Sequence, residues 1–289
     1  MSASPGPQGA GTRRPEGDRP AGDRPVEAGI LHPSDAAQRF DYRRHVPNEL
    51  LAPFVFNFWT VVWDLHNQSP FTAQVLPYPS VNLSVTNTEA DVTGVTRRRY
   101  DRHLAGRGYV VGARFRPGCF RPFLAGPVAI LTDRHRPISE VLGRPTDELQ
   151  DAVAATSDPD QRVDLLTSFL LEDLPRRDPQ AEEIALLVDE IAARTDIVRV
   201  EQVAELAQVG VRTLQRLFAD YVGAAPKWVI MRCRLQDAAV RAAVDTSLDW
   251  AALAVELGFS DQAHLTRVFS RTIGTPPAAY AARIKSGAA

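Results

Sequence analysis

Cysteine is nearly absent. Two occur in 289 residues, Cys119 and Cys233, far apart in the chain. That excludes a Cys-rich zinc module and a disulfide scaffold. Both read as small buried or half-buried residues of a reducing compartment. Long apolar runs are also missing. None approaches the ~20 residues a membrane helix needs, and the N-terminus lacks the apolar core of a signal peptide. A cytoplasmic protein is expected. Histidine is scattered: His45, His66, His103 and His135 stand singly, with no His-x-His pair. A metal site needs clustered ligands, so none is expected. There is no Gly-rich phosphate loop, no Gly-x-Ser-x-Gly elbow and no Cys/His pair. Neither catalytic residues nor a cofactor are expected, and the chain does not read as an enzyme.

Charge of one sign is lacking too, with 33 basic and 35 acidic residues and a formal net charge of −2. The balance is uneven. From Arg199 onward there are 11 Lys and Arg against 8 Asp and Glu, and the rest of the chain is net acidic. A weakly basic C-terminal part implies modest non-specific affinity for an anionic partner.

What is present is a repeat. Leu214, Arg216, Phe218, Gly223 and Pro226 recur 51 residues later as Leu265, Arg267, Phe269, Gly274 and Pro277. Val203–Ala207 followed by Val209-Gly210 precedes the first copy. Leu253–Leu257 followed by Gly258-Phe259 precedes the second. Each copy reads as a short apolar helix, a tight turn containing Gly, and a second amphipathic helix. In the second helix of the first copy, Leu214, Leu217, Phe218 and Tyr221 share one face at i, i+3, i+4 and i+7. Arg212, Thr213, Gln215, Arg216 and Ala219 are left outside. In the second copy Leu265, Val268, Phe269 and Ile273 face in, while Gln262, Ala263, His264, Thr266, Arg267 and Ser270 face out. Asp261 is placed to cap that helix, and Gly210 holds the equivalent place as a weaker cap.

The outward residues are of the types that read base edges. Arg donates two hydrogen bonds to guanine, and Gln pairs with adenine. A lone pair of surface arginines would read as solvated charges. Two copies with Arg at the same position point to double-stranded DNA.

Residues 199–285 resemble the DNA-binding domain of AraC/XylS-type transcriptional regulators. The resemblance rests on Leu206-Ala207, Gly210, Thr213–Phe218, Gly223, Pro226 and Arg234-Leu235. It continues through Leu253-Ala254, Leu257–Gln262, His264–Phe269, Gly274–Pro277 and Tyr280. It implies two helix-turn-helix units joined by one long helix, with both recognition helices in successive major grooves. It carries contact roles to Arg212, Gln215 and Arg216, and to Gln262, His264, Thr266 and Arg267. Gly210 departs from the Ser or Thr often found there. The joining helix is expected over about 227–244, with Arg234 as an ion-pair partner bridging the halves.

Residues 1–29 hold five Pro and six Gly with almost no large apolar side chain, so a disordered tail is expected. Residues 38–125 read as strands: Phe54–Trp63, Val81–Thr86, Asp91–Thr96 and Tyr109–Phe115, with turns at 86–88 and 106–108. A barrel or sandwich follows. The family resemblance makes it a cupin-like sensing domain for an unknown small-molecule effector, and Tyr109–Gly118 with Phe120 and Phe123 is similar to one regulator subgroup. Trp59, Trp63, Tyr78 and Phe115 line a pocket or fill a core, and core filling is the simpler reading. Residues 126–178 read as a helical connector, with Leu165, Leu166, Phe169, Leu170 and Leu174 forming a core face or a dimer seam. Residues 179–285 are the DNA-binding domain. The arginines between Arg97 and Arg121 bind an anion or form a solvated face paired with acids elsewhere.

The expected architecture is α+β, a β-rich domain followed by an all-α double helix-turn-helix. The expected function is sequence-specific transcriptional regulation. A homodimer, RNA polymerase for an activator, and control by a protein partner in place of a ligand stay open. So does an N-terminal enzymatic domain.

Overall fold

A computed structural model describes residues 29–245 and 248–287. Of the tail expected over residues 1–29, residues 1–28 lie outside them. Gly29 does not: it is buried, and its carbonyl accepts from the Leu76 N–H at 2.7 Å.

After the short helix α1 (Pro33–Ala37), the N-terminal domain carries β1 (Asp41–His45), β2 (Val55–Leu65), β3 (Phe71–Val75), β4 (Asn82–Val85), β5 (Ala90–Thr93), β6 (Tyr100–Leu104), β7 (Gly106–Phe115) and β8 (His135–Pro137). Six strands form one antiparallel sheet in the order β1-β2-β7-β4-β5-β8, and β3 pairs with β6 in a second sheet. The arrangement is β-rich and cupin-like.

Strand alternation sorts the large sheet into two faces. Phe58, Leu83, Val85, Val92, Val111, Ala113 and Phe115 point to one side and form a core. Helices α2 (Ile138–Leu142), α3 (Asp147–Ala155) and α4 (Pro159–Glu172) follow β8, and they contribute Ile138, Leu149, Val153, Leu166, Phe169 and Leu170 to that core. The leucine stripe of α4 is thus a core face. The alternate residues Asn57, Trp59, Val61 and Trp63 of β2 and Val110 and Arg114 of β7 line a cavity roofed by β3 and β6. Of the four aromatics, then, only Phe115 fills the core. Trp59, Trp63 and Tyr78 line the cavity.

The turn expected at 106–108 is instead the start of β7. Only Ala105 separates β6 from β7, and Gly106 takes a left-handed φ of 58° where the chain passes from one sheet into the other. Gly108 is needed within the strand for another reason: a Cβ there would lie 2.1 Å from the Trp63 ring. β5 likewise stops at Thr93, because Gly94 passes so close to Leu131 that a Cβ would meet its carbonyl oxygen at 1.9 Å.

The arginines between Arg97 and Arg121 are mostly paired. Arg97 meets Asp133, Arg99 meets Asp101, Arg102 meets Glu89, and Arg107 meets Asp64. Arg116 reaches Asp189 and Arg121 reaches Asp220, both in the C-terminal half.

That half is helical: α5 (Pro179–Ala193), α6 (Val200–Leu206), α7 (Val211–Leu217), α8 (Pro226–Val244), α9 (Trp250–Glu256), α10 (Gln262–Ile273) and α11 (Pro277–Gly287). A π-helical turn, Phe218–Val222, extends α7. Pro226 opens α8 at a position where its missing N–H costs nothing. Among the described residues no helix is long and apolar enough to cross a membrane, and no cluster of three His, Cys, Asp or Glu could hold a metal ion.

The two halves share apolar clusters. Leu31 and Leu76 of the N-terminal domain join the core of α9, α10 and α11, and Val95 joins that of α5, α6 and α7. His32 packs against Tyr280 of α11 with ring centroids 5.4 Å apart and the planes tilted by 49°. Burial, aided by Arg283, holds its pKa below the ordinary value of 6.5, with Asp35 opposing. The unfolded chain then binds this proton more readily than the folded one. The contribution of neutral His32 is complete above pH 6.5 and declines as pH falls toward the lowered value. We expect acidification from pH 7.5 to 5.5 to loosen this contact, and His32→Phe to remove that part of the pH dependence. Hydrogen exchange at residues 29–37 checks it; equal protection at both pH values is the contrary result.

Candidate nucleic-acid interface

Each helix-turn-helix is built from the same local hydrogen bonds. The Val209 N–H donates to the Ala204 carbonyl at 3.0 Å, and the Phe259 N–H to the Ala254 carbonyl at 2.8 Å. These pairs are 50 residues apart. The next turn is closed by Leu214 N–H to Gly210 and by Leu265 N–H to Asp261, at 3.0 and 3.1 Å. Those pairs are 51 apart, so the second turn is one residue longer. The left-handed residue of the turn is Gly258, φ 76°, in the second copy and Gln208, φ 53°, in the first. Gln accepts that conformation at a cost Gly avoids, and for that reason the first turn has a weaker sequence signal.

The caps differ as the residues dictate. Asp261 accepts from the His264 N–H at 2.7 Å. That bond, with Ser260 and Arg267 nearby, keeps its carboxyl below the ordinary carboxylate range. Gly210 makes no side-chain cap. Asp249 caps α9 by accepting from Ala251 and Ala252 at 2.9 and 3.1 Å. This last cap had an N-cap residue type as its only sequence signal.

The apolar faces are inside. Leu214 and Phe218 are buried under α7, and Leu265, Val268, Phe269 and Ile273 under α10; Leu217 and Tyr221 pack at the edge of the first core. On the outer surface Arg212, Gln215 and Arg216 are exposed and Thr213 half-buried. Gln262 and Arg267 are exposed, and His264 and Thr266 half-buried. The structure therefore places four of these residues on α7 and four on α10, at positions outside the buried ones. His264 is the least free of the eight. Its Nδ1 lies 3.2 Å from Ser260 Oγ, and its ring stands edge-on to Phe259 at 5.4 Å. This ties the start of α10 to the turn before it.

α8 joins the two units through buried polar side chains. Arg234 is 1 % exposed. Its Nη2 donates to the carbonyls of Ile191 and Ile197 at 2.7 and 3.1 Å, and to that of Arg194. Among the described residues Arg234 makes no ion pair: its partners are carbonyls at and beyond the C-terminus of α5. Such carbonyls lack intrahelical donors and carry the negative end of the helix dipole, so a guanidinium satisfies them without an acid. Arg232 donates to the Arg97 carbonyl at 2.8 Å and stacks 4.8 Å from the Trp228 ring centre. Burial brings its pKa down to about 10, which leaves it charged at neutral pH. Cys119 and Cys233 are both buried, and burial raises their thiols to about 12 and about 11. Neither is an activated nucleophile.

The exit turns of both recognition helices lie against the N-terminal domain. Gly223, φ 84°, follows the first, and its carbonyl accepts from Thr132 Oγ1 at 2.5 Å. Gly274, φ 96°, follows the second, and Arg99 Nη1 donates to the adjacent Ile273 carbonyl at 2.7 Å. A side chain at Gly274 would meet Arg99 at 2.2 Å. Sequence reasoning found both glycines as matched members of the repeat. It had no signal for the residues across the domain boundary.

Residues 203–283 match a family described as a helix-turn-helix domain, and residues 43–137 match one described as a domain of unknown function, DUF6597. Among solved structures the chain is similar to a transcriptional regulator with an AraC-type DNA-binding domain from Chromobacterium violaceum. Identity there is 23 % over 34 % of this chain and 88 % of that one, with a TM-score of 0.31. It is also similar to an apo form of a ToxT variant from Vibrio cholerae, at 14 % identity over 78 % and 97 % of the two chains and a TM-score of 0.40. ToxT with an unsaturated fatty acid bound matches at 13 % identity over 84 % and 91 %, TM-score 0.37. Whole-chain overlays this loose carry no argument about geometry. The paired turns, the exposed polar faces of α7 and α10 and the match over 203–283 carry it instead: the C-terminal part of the chain is a helix-turn-helix domain of the AraC type, a DNA-binding unit.

Proposed function

We propose that the protein reads two successive major grooves of one operator, under control of its N-terminal domain. Arg212, Thr213, Gln215 and Arg216 contact one element, and Gln262, His264, Thr266 and Arg267 the other. The observation that supports reading by both units is the repeated outer face, with Arg216 and Arg267 at matched positions. Selection of bound sequences from random duplexes by the purified full chain tests it. Two enriched elements about one helical turn apart are expected; a single element, or none from folded protein, overturns it.

Control by the N-terminal domain is supported by the two exit-turn contacts. Thr132 and Arg99 touch the two units at neighbouring places, the carbonyl of Gly223 and that of Ile273, one residue before the matching Gly274. A shift of that domain would therefore act on both reading heads together. Arg99→Ala with Thr132→Ala frees both turns and is expected to change operator affinity about fivefold, a small coupling energy, with the enriched sequence unchanged. Titration of labelled operator checks this. Identical affinity would show that the two domains are not coupled here. Regulation sensed in this way makes a small molecule in the N-terminal cavity the effector, and the cytoplasm the place of action.

A further inference from the structure

The N-terminal cavity has a floor of unusual construction. Two glycines of β7, Gly108 and Gly112, lie opposite Trp63 and Trp59 of β2 in the strand register. A Cβ on Gly112 would sit 2.4 Å from the Trp59 ring, as one on Gly108 would clash with Trp63. Both indoles therefore lie against the bare backbone of β7, and both line the cavity. Tyr100 lines it from the roof sheet. Aromatic faces carry a negative quadrupole that attracts cations.

The polar groups of the floor carry both signs of charge. Glu89 and Arg102 pair at 3.4 Å. Arg114 is held between the rings of Phe56 and Tyr78, at 4.2 and 4.4 Å from their centres. Asp91 lines the same cavity with neither an ion pair nor a side-chain hydrogen bond among the described residues. Burial, with Glu89 nearby, pushes its carboxyl above the ordinary value, and His135 and Arg102 oppose. Asn57 is 7 % exposed. Its Nδ2 donates to the Phe58 carbonyl at 2.9 Å, but its buried Oδ1 has no partner. A buried acceptor left unmade is costly. Asp91 offers an unpaired carboxylate beside an aromatic floor.

We propose that this cavity binds a planar aromatic compound bearing a positively charged nitrogen. The rings stack on the indoles of Trp59 and Trp63, and the ammonium meets Asp91. The cavity volume is about 220 Å³. A cavity of about 150 Å³ holds benzene, so there is room for one or two rings with an amine. The roof that would cover the ligand is also the part joined to the DNA-binding domain. Arg99 immediately precedes β6, and the Leu76 and Pro77 carbonyls after β3 accept from Gln236 and Arg232 of α8 at 3.3 and 3.4 Å. The inference rests on reading this domain as a sensor, but binding and sensing are measured separately.

Calorimetry of the full chain with tryptamine, tryptophol and indole-3-propionate tests it. The three share one aromatic body and differ in carrying an ammonium, a hydroxyl or a carboxylate. Tryptamine is expected to bind at least tenfold more tightly than either of the others. Asp91→Asn should abolish that preference, with an unchanged thermal midpoint, while Trp59→Leu should weaken all three. Preference for the carboxylate, equal affinities, or no binding by any of the three overturns the proposal. Operator titration with and without tryptamine then reads sensing alone. Binding without an effect on DNA affinity would leave the ligand site standing and remove the sensor reading.

Discussion

Replacing Arg234 by Ala is expected to destabilise the protein by at least about 3 kcal/mol. Two effects add. The buried carbonyls of Ile191 and Ile197 lose their donor, and each buried acceptor left unpaired costs about 1–3 kcal/mol; the Arg194 carbonyl keeps the Ile197 N–H at 3.3 Å. Truncating a long, fully buried side chain also leaves a cavity. Desolvation opposes part of this gain, since burial lowers the pKa of Arg234 and its Nε and Nη1 have no partners. Arg234→Met should for that reason fall between wild type and Ala: it fills space but offers no donor. Urea unfolding measures the series. A loss below about 1 kcal/mol for Ala would mean that water or a neighbouring group satisfies the carbonyls. Because α8 joins both units, DNA binding should fall with stability in these variants and recover on cooling.

The second large effect is confined to binding. Arg216→Ala and Arg267→Ala should each weaken specific operator binding by about 1–3 kcal/mol, the usual worth of a base-reading arginine. Neither belongs to an apolar face, and both are exposed, so the unfolding midpoint should hardly move. The salt dependence discriminates further. A phosphate contact would lower the salt slope and weaken all sequences alike, whereas a base contact relaxes specificity at one position. Loss of folding in either variant would make that arginine structural.

Much of the C-terminal part was legible because its constraints are local and written twice. Helical spacing located Leu214 and Phe218, and again Leu265 and Phe269, in the cores. Asp261 was found as a cap because capping uses one side chain and the N–H of a residue three positions on. Arg234 was found as structural, but with the wrong partner: sequence offers no sign that a helix end will arrive beside it. Strand alternation gave two faces in the N-terminal domain but not which would be filled. The second face stays open because β3 and β6 leave the main sheet to form a roof, a long-range event with no local signature. Gly108 looked like a turn residue. Its role, making room for Trp63, is set by a strand more than forty positions away in the chain.

The sharpest test of two reading heads is to repeat sequence selection with each arginine variant in turn. Independent heads predict that Arg216→Ala blurs one of the two enriched elements and leaves the other sharp, and that Arg267→Ala does the reverse. Loss of both elements in either variant, or blurring of the same element in both, would contradict a protein that reads successive grooves with α7 and α10.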